Sequence, residues 1–253
     1  MTTITERPAT LSEKPRRGGS RSVDRRRAVG VPAMLHEQLE LSKPAYELWL
    51  EGQLHKELGI PDDGRTRIEI IGGEIVVSPG PLFHHARIVT DIQTAFILKQ
   101  GPAPDYPWRC VQVMDFNLPR IEDGYIPDLI VLPTSEYEDP SNANAQHLTA
   151  KKIGIAVEVT SKWTAADDRE PGRKRVRPTK WNGYAHEEVE YYLLVDRAPD
   201  KAKVTLFTEP NPARGMYLSE QSWAFGEPVM LPQPFGVEIP TSAWEPWEED
   251  QGQ

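Results

Sequence analysis

Two apolar runs decide the fold of this chain: residues 126–132, IPDLIVL, and residues 153–160, IGIAVEVT. Each run is short and apolar, which is consistent with a strand buried on both faces. Each also carries one acid, Asp128 in the first run and Glu158 in the second. A carboxylate inside an apolar strand costs on the order of several kcal/mol unless it is paired, protonated or bound to a metal ion. These two acids are therefore the first candidates for a functional site.

Side-chain alternation along a strand predicts the face that each acid occupies. Asp128 shares its face with Ile130, and Glu158 shares its face with Ala156. If the two strands are neighbours, both carboxylates can converge on one hard cation. Mg²⁺ keeps several waters and needs only two carboxylates, a backbone carbonyl and a substrate phosphate besides. The alternative is that Asp128 caps a turn and Glu158 pairs with a buried arginine or lysine.

The chain alternates helix and strand signals between residues 44 and 245. The pair Gly72-Gly73 separates the runs 65–71 and 74–78, which is typical of a β-hairpin. Apolar spacing predicts helices over 44–54, 84–99 and 179–187. Further strands are predicted over 109–116, 191–196, 203–207 and 216–218, and around residues 223 and 229. The pattern favours an α/β domain, a mixed central β-sheet flanked by few helices.

The two ends of the chain differ from this domain in composition. Residues 1–43 lack apolar periodicity and predict a disordered basic tail, and residues 246–253 predict an acidic tail. Residues 1–30 hold eight basic and three acidic side chains, a net charge of +5. Because the whole chain has a net charge of −9, residues 31–253 have a net charge of −14. An acidic body repels polyphosphate at long range, which argues against a protein that coats DNA.

Composition also excludes several classes of protein. Mean hydropathy is −0.54 and no run approaches the roughly 20 apolar residues of a membrane helix, so no membrane partner is expected. A single cysteine, Cys110, excludes internal disulfides and cysteine metal clusters, and a cytoplasmic location is predicted. The motifs of P-loop, dinucleotide-binding, serine-hydrolase and zinc-protease enzymes are absent from the sequence.

A lysine adds a third candidate to the two acids. Lys180 precedes Tyr184 by four residues, so the two share one face of the predicted helix. A lysine beside a metal-bound water can orient the nucleophile and neutralise charge that develops on a phosphate.

These elements follow one another in a characteristic order: PD at 127–128, VEV at 157–159, K-x-x-x-Y-A at 180–185 and EYYLLVD at 190–196. Upstream, IEIIGGEIVVSPGPLFHHARIV at 68–89 contains a "GE" hairpin, a Ser-Pro pair and a histidine that opens a helix. Together they resemble the PD-(D/E)XK nuclease superfamily and, within it, the bacterial Uma-type restriction endonuclease domains, over residues 44–240. The resemblance implies a restriction-endonuclease-like fold and metal-dependent hydrolysis of phosphodiester bonds, with DNA as the expected nucleic acid.

The resemblance also implies roles for individual residues. Asp128 and Glu158 would hold Mg²⁺, or Mn²⁺ in its place, and Lys180 would replace the lysine that usually follows the glutamate by two positions, where this chain has Thr160. Glu74 matches the N-terminal acid of the family, a further catalytic candidate. His85 matches the helix-opening histidine, a candidate for phosphate contact.

An insertion, REPGRKRVRPT at 169–179, separates Asp167-Asp168 from Lys180. In the family that this chain resembles, an Asp usually precedes the lysine by only a few residues. Lys174, which fits that spacing, and Lys162, which shares strand parity with Glu158, are therefore alternatives for the catalytic lysine. Within the insertion, Arg173, Lys174 and Arg175 are candidates for substrate phosphates, and a solvated loop is the alternative.

Two functions of different classes follow. The first is a Mg²⁺-dependent endonuclease, and the second is a non-catalytic binding module that retains the nuclease scaffold. The distance from Lys180 to the two acids separates them, because a distant lysine favours the second. Nucleases of this fold often cut duplexes as dimers, so a homodimer is left open.

Overall fold

The computed structural model describes residues 40–248 and the backbone of one short strand at 33–34. The rest of the predicted basic tail, and residues 249–253 of the predicted acidic tail, lie outside the described residues. None of the described helices is long and apolar enough to cross a lipid bilayer.

The described residues form both helices and strands, as the pattern predicts, with the last five strands following one another without a helix between them. The helices are α1 Ala45–Leu50, α2 Leu54–Glu57, α3 Phe83–Gln100, α4 Thr134–Tyr137, α5 Ala165–Asp168 and α6 Lys180–His186, with 3₁₀ turns at Pro140–Asn142 and Ala150–Lys152. The strands are β1 Ala33–Met34, β2 Thr66–Ile71, β3 Glu74–Pro79, β4 Trp108–Val111, β5 Asp115–Leu118, β6 Asp123–Tyr125, β7 Leu129–Pro133, β8 His147–Leu148, β9 Ile155–Val159, β10 Tyr191–Asp196, β11 Lys203–Asn211, β12 Met216–Ala224, β13 Val229–Met230 and β14 Glu238–Ile239.

The strands form two six-stranded sheets rather than one central sheet. The first has the order β1-β3-β2-β6-β5-β8, the second has the order β12-β11-β10-β9-β7-β4, and β13 pairs with β14 separately. Both large sheets are mixed, because β9 runs parallel to β10 and β5 parallel to β8 while their other pairings are antiparallel. The predicted α/β class with flanking helices is confirmed.

The single strand predicted over 109–116 is wrong. The chain breaks between β4 and β5, so β4 joins the second sheet and β5 joins the first. Val113, between them, has a φ of 55°, which a β-branched residue rarely adopts and which ends the extended run.

The central strands of the second sheet bring the two acidic runs together. β7 and β9 pair antiparallel with Leu129 opposite Val157 and Ile130 opposite Ala156. Continuing this register by one residue places Asp128 beside Glu158 on the same face. The two runs are therefore neighbouring strands, the condition under which both carboxylates can converge on one site.

Helices cover both faces of the second sheet. On one face, α3 packs its apolar stripe, with Ile88, Ile92 and Phe96, against Leu129 and Val157. On the other face, α6 packs Tyr184 and Ala185 against a layer that includes Ile130 and Ala156. Asp128 and Glu158 therefore point toward the side covered by α6.

The β2–β3 hairpin is held by its turn. Gly72 and Gly73 have φ values of 60° and 77°, the left-handed conformation that a two-residue hairpin turn requires. The Asp123 carboxylate accepts hydrogen bonds from both glycine N–H groups, at 2.7 and 2.9 Å. Ile70 of β2 pairs with Gly124 of β6. These contacts fix β2 and its side chains against the remainder of the domain.

Helix α6 lies close to β6, and a glycine permits the approach. A Cβ atom added to Gly183 would lie 2.0 Å from the Tyr125 hydroxyl, and Tyr125 is fully buried. The Tyr125 hydroxyl also donates to Asp123, so it cannot easily move away. The close approach of Gly183 to Tyr125 therefore fixes how near α6, and with it Lys180, lies to β6.

We expect Gly183→Ala to lower the free energy of unfolding by about 1–3 kcal/mol through overpacking. Helix propensity alone would favour alanine by about 1 kcal/mol, so the sign of the change tests the close packing of α6. Gly172→Ala is the matched control, because a Cβ at Gly172 meets no atom within 4 Å. Urea denaturation of the three proteins measures the difference. An unchanged or raised stability of Gly183→Ala would contradict the packing.

Candidate functional site

The buried centre of the site is an ion pair between β9 and α6. Lys180 Nζ lies 3.0 Å from Glu158 Oε1, and the Tyr184 hydroxyl donates to the same oxygen at 2.7 Å. Lys180 is the first residue of α6, and Thr179 and Asn182 form a capping box that starts the helix there. The four-residue spacing of Lys180 and Tyr184 thus delivers both side chains to one carboxylate.

Two further carboxyl groups surround the same lysine. Lys180 Nζ lies 2.7 Å from Glu69 Oε1 on β2 and 3.8 Å from Asp168 Oδ1 at the end of α5. Glu69 also accepts a hydrogen bond from the Ile126 N–H at 2.7 Å. Asp168 Oδ1 is buried and has no hydrogen-bond partner among the described residues. One ammonium group is therefore shared by three buried acids.

Asp128 lies at the edge of this cluster and has partners of its own. Its Oδ1 is 2.6 Å from Arg67 Nη1 and 3.0 Å from His85 Nε2. Its Oδ2 accepts a hydrogen bond from the Val159 N–H at 2.9 Å. Both oxygens are thus in contact with donors, and the N–H of the residue after Glu158 ties the two acidic positions together.

The pKa values of the cluster follow from burial and from the excess of acids. Burial raises the pKa of Glu158 to about 7, the Asp128 and Glu69 carboxylates add to that rise, and Lys180 opposes it. Burial and the neighbouring carboxylates raise the pKa of Asp168 well above its usual range. Burial opposes the charge of Lys180, yet the Glu158, Glu69 and Asp168 carboxylates outweigh it and raise the pKa of Lys180.

Asp128 shows the opposite shift from Glu158. Burial alone would raise the pKa of Asp128, but the adjacent His85 and Arg67 lower it below its usual range. The Asp128 carboxyl is therefore held ionised, whereas burial and nearby carboxylates disfavour the ionised form of Glu158. Two neighbouring acids with pKa values pushed apart are a common property of catalytic sites.

A cleft of about 380 Å³ leads from the surface to Asp128. Its walls come from β2 and β5 of the first sheet, from α1, α2 and α3, from the loop between β4 and β5, and from the residues just before β7. They include Trp49, His55, Asp62, Thr66, Arg67, His85, Gln112, Val113, Asp115 and Asp128. Glu158 and Lys180 do not themselves line the cleft, but Glu158 lies beside Asp128, which does.

Among the predicted site residues, Asp128, Glu158, Lys180 and His85 are brought together. Glu74 is not: its carboxylate lies 2.9 Å from Arg177 Nη1, at the hairpin end. The acid that reaches Lys180 from the hairpin is Glu69. Of the alternative lysines, Lys162 and Lys174 are both exposed, whereas Lys180 is 3% exposed and contacts Glu158.

The basic insertion divides into paired and exposed residues. Arg175 and Arg177 both contact Asp167, and Arg169 forms a bidentate pair with Asp196 at 2.6 Å for both bonds. Arg173 and Lys174 are exposed. Of the three predicted phosphate-binding residues, Arg175 is therefore already paired with an acid in the structure.

The donor chemistry of the cluster suits a hard cation. Four buried acids, Glu69, Asp128, Glu158 and Asp168, face two permanent cations, Arg67 and Lys180, and one acid oxygen lacks a hydrogen bond. Within residues 40–248, however, no three His, Cys, Asp or Glu side chains are arranged to hold a metal ion by themselves. A cation here would therefore use the two predicted carboxylates and complete its shell with backbone oxygen, water and substrate.

Sequence reasoning missed three residues of the cluster. Glu69 stands among Ile68, Ile70 and Ile71, so the rule that singled out Glu158 within its apolar strand would have found it. Arg67 and Asp168 carry no such signal, because their partners are distant in sequence. Strand parity places Arg67 on the same face as Glu69. That face is recognised as the one turned toward the site only once Glu69 is known to point inward.

Comparisons with known proteins agree with this fold. A family model described as "Uma2: Putative restriction endonuclease" matches residues 53–242. Four solved chains match. One is the crystal structure of "a putative nuclease belonging to DUF820" from Anabaena variabilis, which is 18% identical with a TM-score of 0.51 and is matched over 73% of this chain and 92% of that chain. No curated protein matches. The restriction-endonuclease-like fold implied by the resemblance is confirmed.

Asp115 lines the cleft, and its pKa can be tested through the pH dependence of the free energy of unfolding. Burial, with a contribution from the Glu69 carboxylate, raises the pKa of Asp115 from 3.8 to about 6. The folded chain thus holds this proton more tightly than the unfolded chain does. The contribution of Asp115 to the free energy of unfolding should be greatest below pH 4, fall as the pH rises toward 6, and stay constant above that.

We therefore expect Asp115→Asn to be more stable than the wild type at pH 8, by about 1 kcal/mol because the carboxyl is only partly buried, and close to the wild type at pH 4. Chemical denaturation at several pH values measures the difference. The exposed Asp200→Asn serves as control and should follow the wild-type profile. A constant difference between Asp115→Asn and the wild type at all pH values would contradict the assignment.

Proposed function

Because this chain belongs to the Uma2 family of restriction-endonuclease-type domains, we propose that it is a divalent-metal-dependent endonuclease that hydrolyses phosphodiester bonds of DNA. The observation that carries the proposal is the contact of Lys180 Nζ with Glu158 Oε1 at 3.0 Å, next to Asp128, which lines a cleft. A lysine distant from the acids would have favoured a binding module; this one touches an acid directly.

Asp128 and Glu158 are the proposed ligands of Mg²⁺ or Mn²⁺, which when bound would lower the pKa of a coordinated water and neutralise charge on the phosphate. The two acids differ in their ionisation and in their distance from the cleft. Asp128 is kept ionised by Arg67 and His85 and lies at the cleft wall. Glu158 lies deeper, where burial raises its pKa, so added positive charge in the site favours its ionised form.

Lys180 is the proposed catalytic lysine. Its ammonium has three donors, and Glu69, Glu158 and Asp168 surround it. Such a fixed positive charge can orient the attacking water and stabilise charge on the phosphate as the bond breaks. Glu69, Asp168 and Tyr184 are positioning residues, because each acts through Lys180 or Glu158. Glu74 is left outside the proposed catalytic set.

Arg173 and Lys174 are the proposed contacts with the phosphate backbone beyond the cleft. Both are exposed, and each phosphate contact adds affinity independent of base sequence. His85, 3.0 Å from Asp128, is the proposed contact with the phosphate nearest the site. An acidic body with few basic contacts suits an enzyme that binds and releases nucleic acid.

A second candidate function is a binding module that retains the nuclease scaffold. The observation in its favour is that Asp128 and Glu158 are each already paired with a side-chain cation, Arg67 and Lys180. Such a protein would bind DNA but would not cleave it with any divalent cation. The same assay distinguishes the two functions.

We expect the wild type to nick or linearise plasmid DNA with MgCl₂ or MnCl₂ and not with EDTA. Lys180→Met and Glu158→Gln should each lower the cleavage rate by about 10²–10⁴-fold, the range for loss of one group that stabilises the transition state. Single-stranded DNA and RNA are tested in parallel, and circular dichroism verifies the fold of each variant.

The exposed lysines supply the controls. Lys162→Met should retain cleavage within a few-fold of the wild type, because Lys162 is exposed whereas Glu158 is buried and contacts Lys180. Lys174→Met, which removes one proposed phosphate contact, should raise KM while leaving kcat within a few-fold of the wild type. If Lys174→Met lost kcat while Lys180→Met retained it, the catalytic lysine would be Lys174 and the proposed role of Lys180 would be wrong. DNA binding without cleavage under every metal condition would favour the binding module.

A further inference from the structure

Arg67 holds a place in the site that neither the family comparison nor the proposed catalytic set explains. It lies on β2, lines the cleft, and its Nη1 is 2.6 Å from Asp128 Oδ1. Its side chain is 19% exposed, compared with 4% for Lys180. Arg67 is thus the more accessible of the two permanent cations that contact the central acids.

Arg67 occupies the accessible oxygen of Asp128. The Oδ2 atom accepts a hydrogen bond from the Val159 N–H inside the sheet, so Oδ1 is the oxygen shared by Arg67 and His85 at the cleft wall. A divalent cation and a guanidinium on the same oxygen would repel each other strongly at contact distance. Arg67 and a bound cation are therefore competitors for Asp128.

The backbone beneath Arg67 is fixed, so any exchange is made by the side chain. β2 is paired on both sides, with β3 over its whole length and with β6 at Ile70. A guanidinium that leaves Asp128 remains at the cleft wall, because Arg67 itself lines the cleft. Its planar fork matches two oxygens of a phosphate group.

We propose that Arg67 has two partners in succession: it neutralises Asp128 while the site holds no divalent cation, and it binds the phosphate of the substrate once a cation takes Asp128. This inference rests on the proposed function. It makes Arg67 a substrate-binding residue whose availability depends on the metal. It also explains how the buried charge of Asp128 is neutralised in the metal-free protein, where an unpaired carboxylate would destabilise the fold.

The first test measures metal binding without any nuclease assay. Isothermal titration with MnCl₂ compares the wild type with Arg67→Met, which keeps a long apolar stem and removes the competing charge. Manganese should bind Arg67→Met about tenfold or more tightly, because the apparent dissociation constant no longer includes displacement of Arg67. Arg65→Met is the matched control: Arg65 lies just before β2, is exposed and lies outside the cleft lining, so the manganese affinity of this variant should equal that of the wild type.

The second test measures DNA binding in two conditions. Fluorescence anisotropy of a labelled duplex is recorded in CaCl₂, whose cation takes the same oxygen ligands, and in EDTA, with cleavage monitored in the same samples. Arg67→Met should bind about tenfold more weakly than the wild type in CaCl₂ and equally in EDTA. The slope of log affinity against log salt should fall by about 1 in CaCl₂ alone, as expected for one lost phosphate contact.

Equal weakening in CaCl₂ and in EDTA would mean a general loss of positive charge and would overturn the inference. Unchanged or weaker manganese binding by Arg67→Met would also overturn it while leaving the proposed function intact. Failure of the wild type to bind manganese and to cleave DNA would overturn both. Should Arg67→Met not fold, Arg67→Gln, also uncharged, replaces it in the same two tests.

Discussion

The ammonium group of Lys180 allows three buried carboxyl groups to approach within a few ångströms of one another. Glu69 comes from β2, Glu158 from β9 and Asp168 from α5, and each lies within 4 Å of Lys180 Nζ. Without that charge, their repulsion and burial would oppose folding by several kcal/mol or more. The β2–β3 hairpin, the second sheet and α5 therefore meet at the Lys180 side chain.

The remaining imbalance of charge is what makes this cluster a candidate site rather than a structural ion pair. A structural pair is normally satisfied, with equal charges and a hydrogen bond for each oxygen. Here acids outnumber permanent cations, and the pKa values of Glu158 and Asp168 are raised. The surplus lies beside a cleft, where a cation and an anionic phosphate could enter together. Arg67 balances part of the surplus at Asp128.

Much of the fold could be predicted from the sequence because its central elements have strong local patterns. β9, β10, α6 and the Gly72-Gly73 hairpin appear close to their predicted bounds. The break at Val113 could not be predicted, since the apolar residues around it continue across the turn. In the site, Asp128, Glu158 and Lys180 were found by their unusual settings and order. Arg67 and Asp168 were not, because only tertiary pairing gives them a role.

The site is assembled from parts of the chain that are far apart in sequence. Glu69 and Lys180 are in contact although more than one hundred residues separate them, and the two sheets must dock before the acids and the lysine meet. During synthesis, a chain that has emerged from the ribosome only as far as β9 already contains Asp128 and Glu158 but lacks Lys180. Such a nascent fragment, or a proteolytic half of the protein, holds no complete catalytic centre. Under the proposed function, cleavage activity therefore begins only once the whole domain has folded.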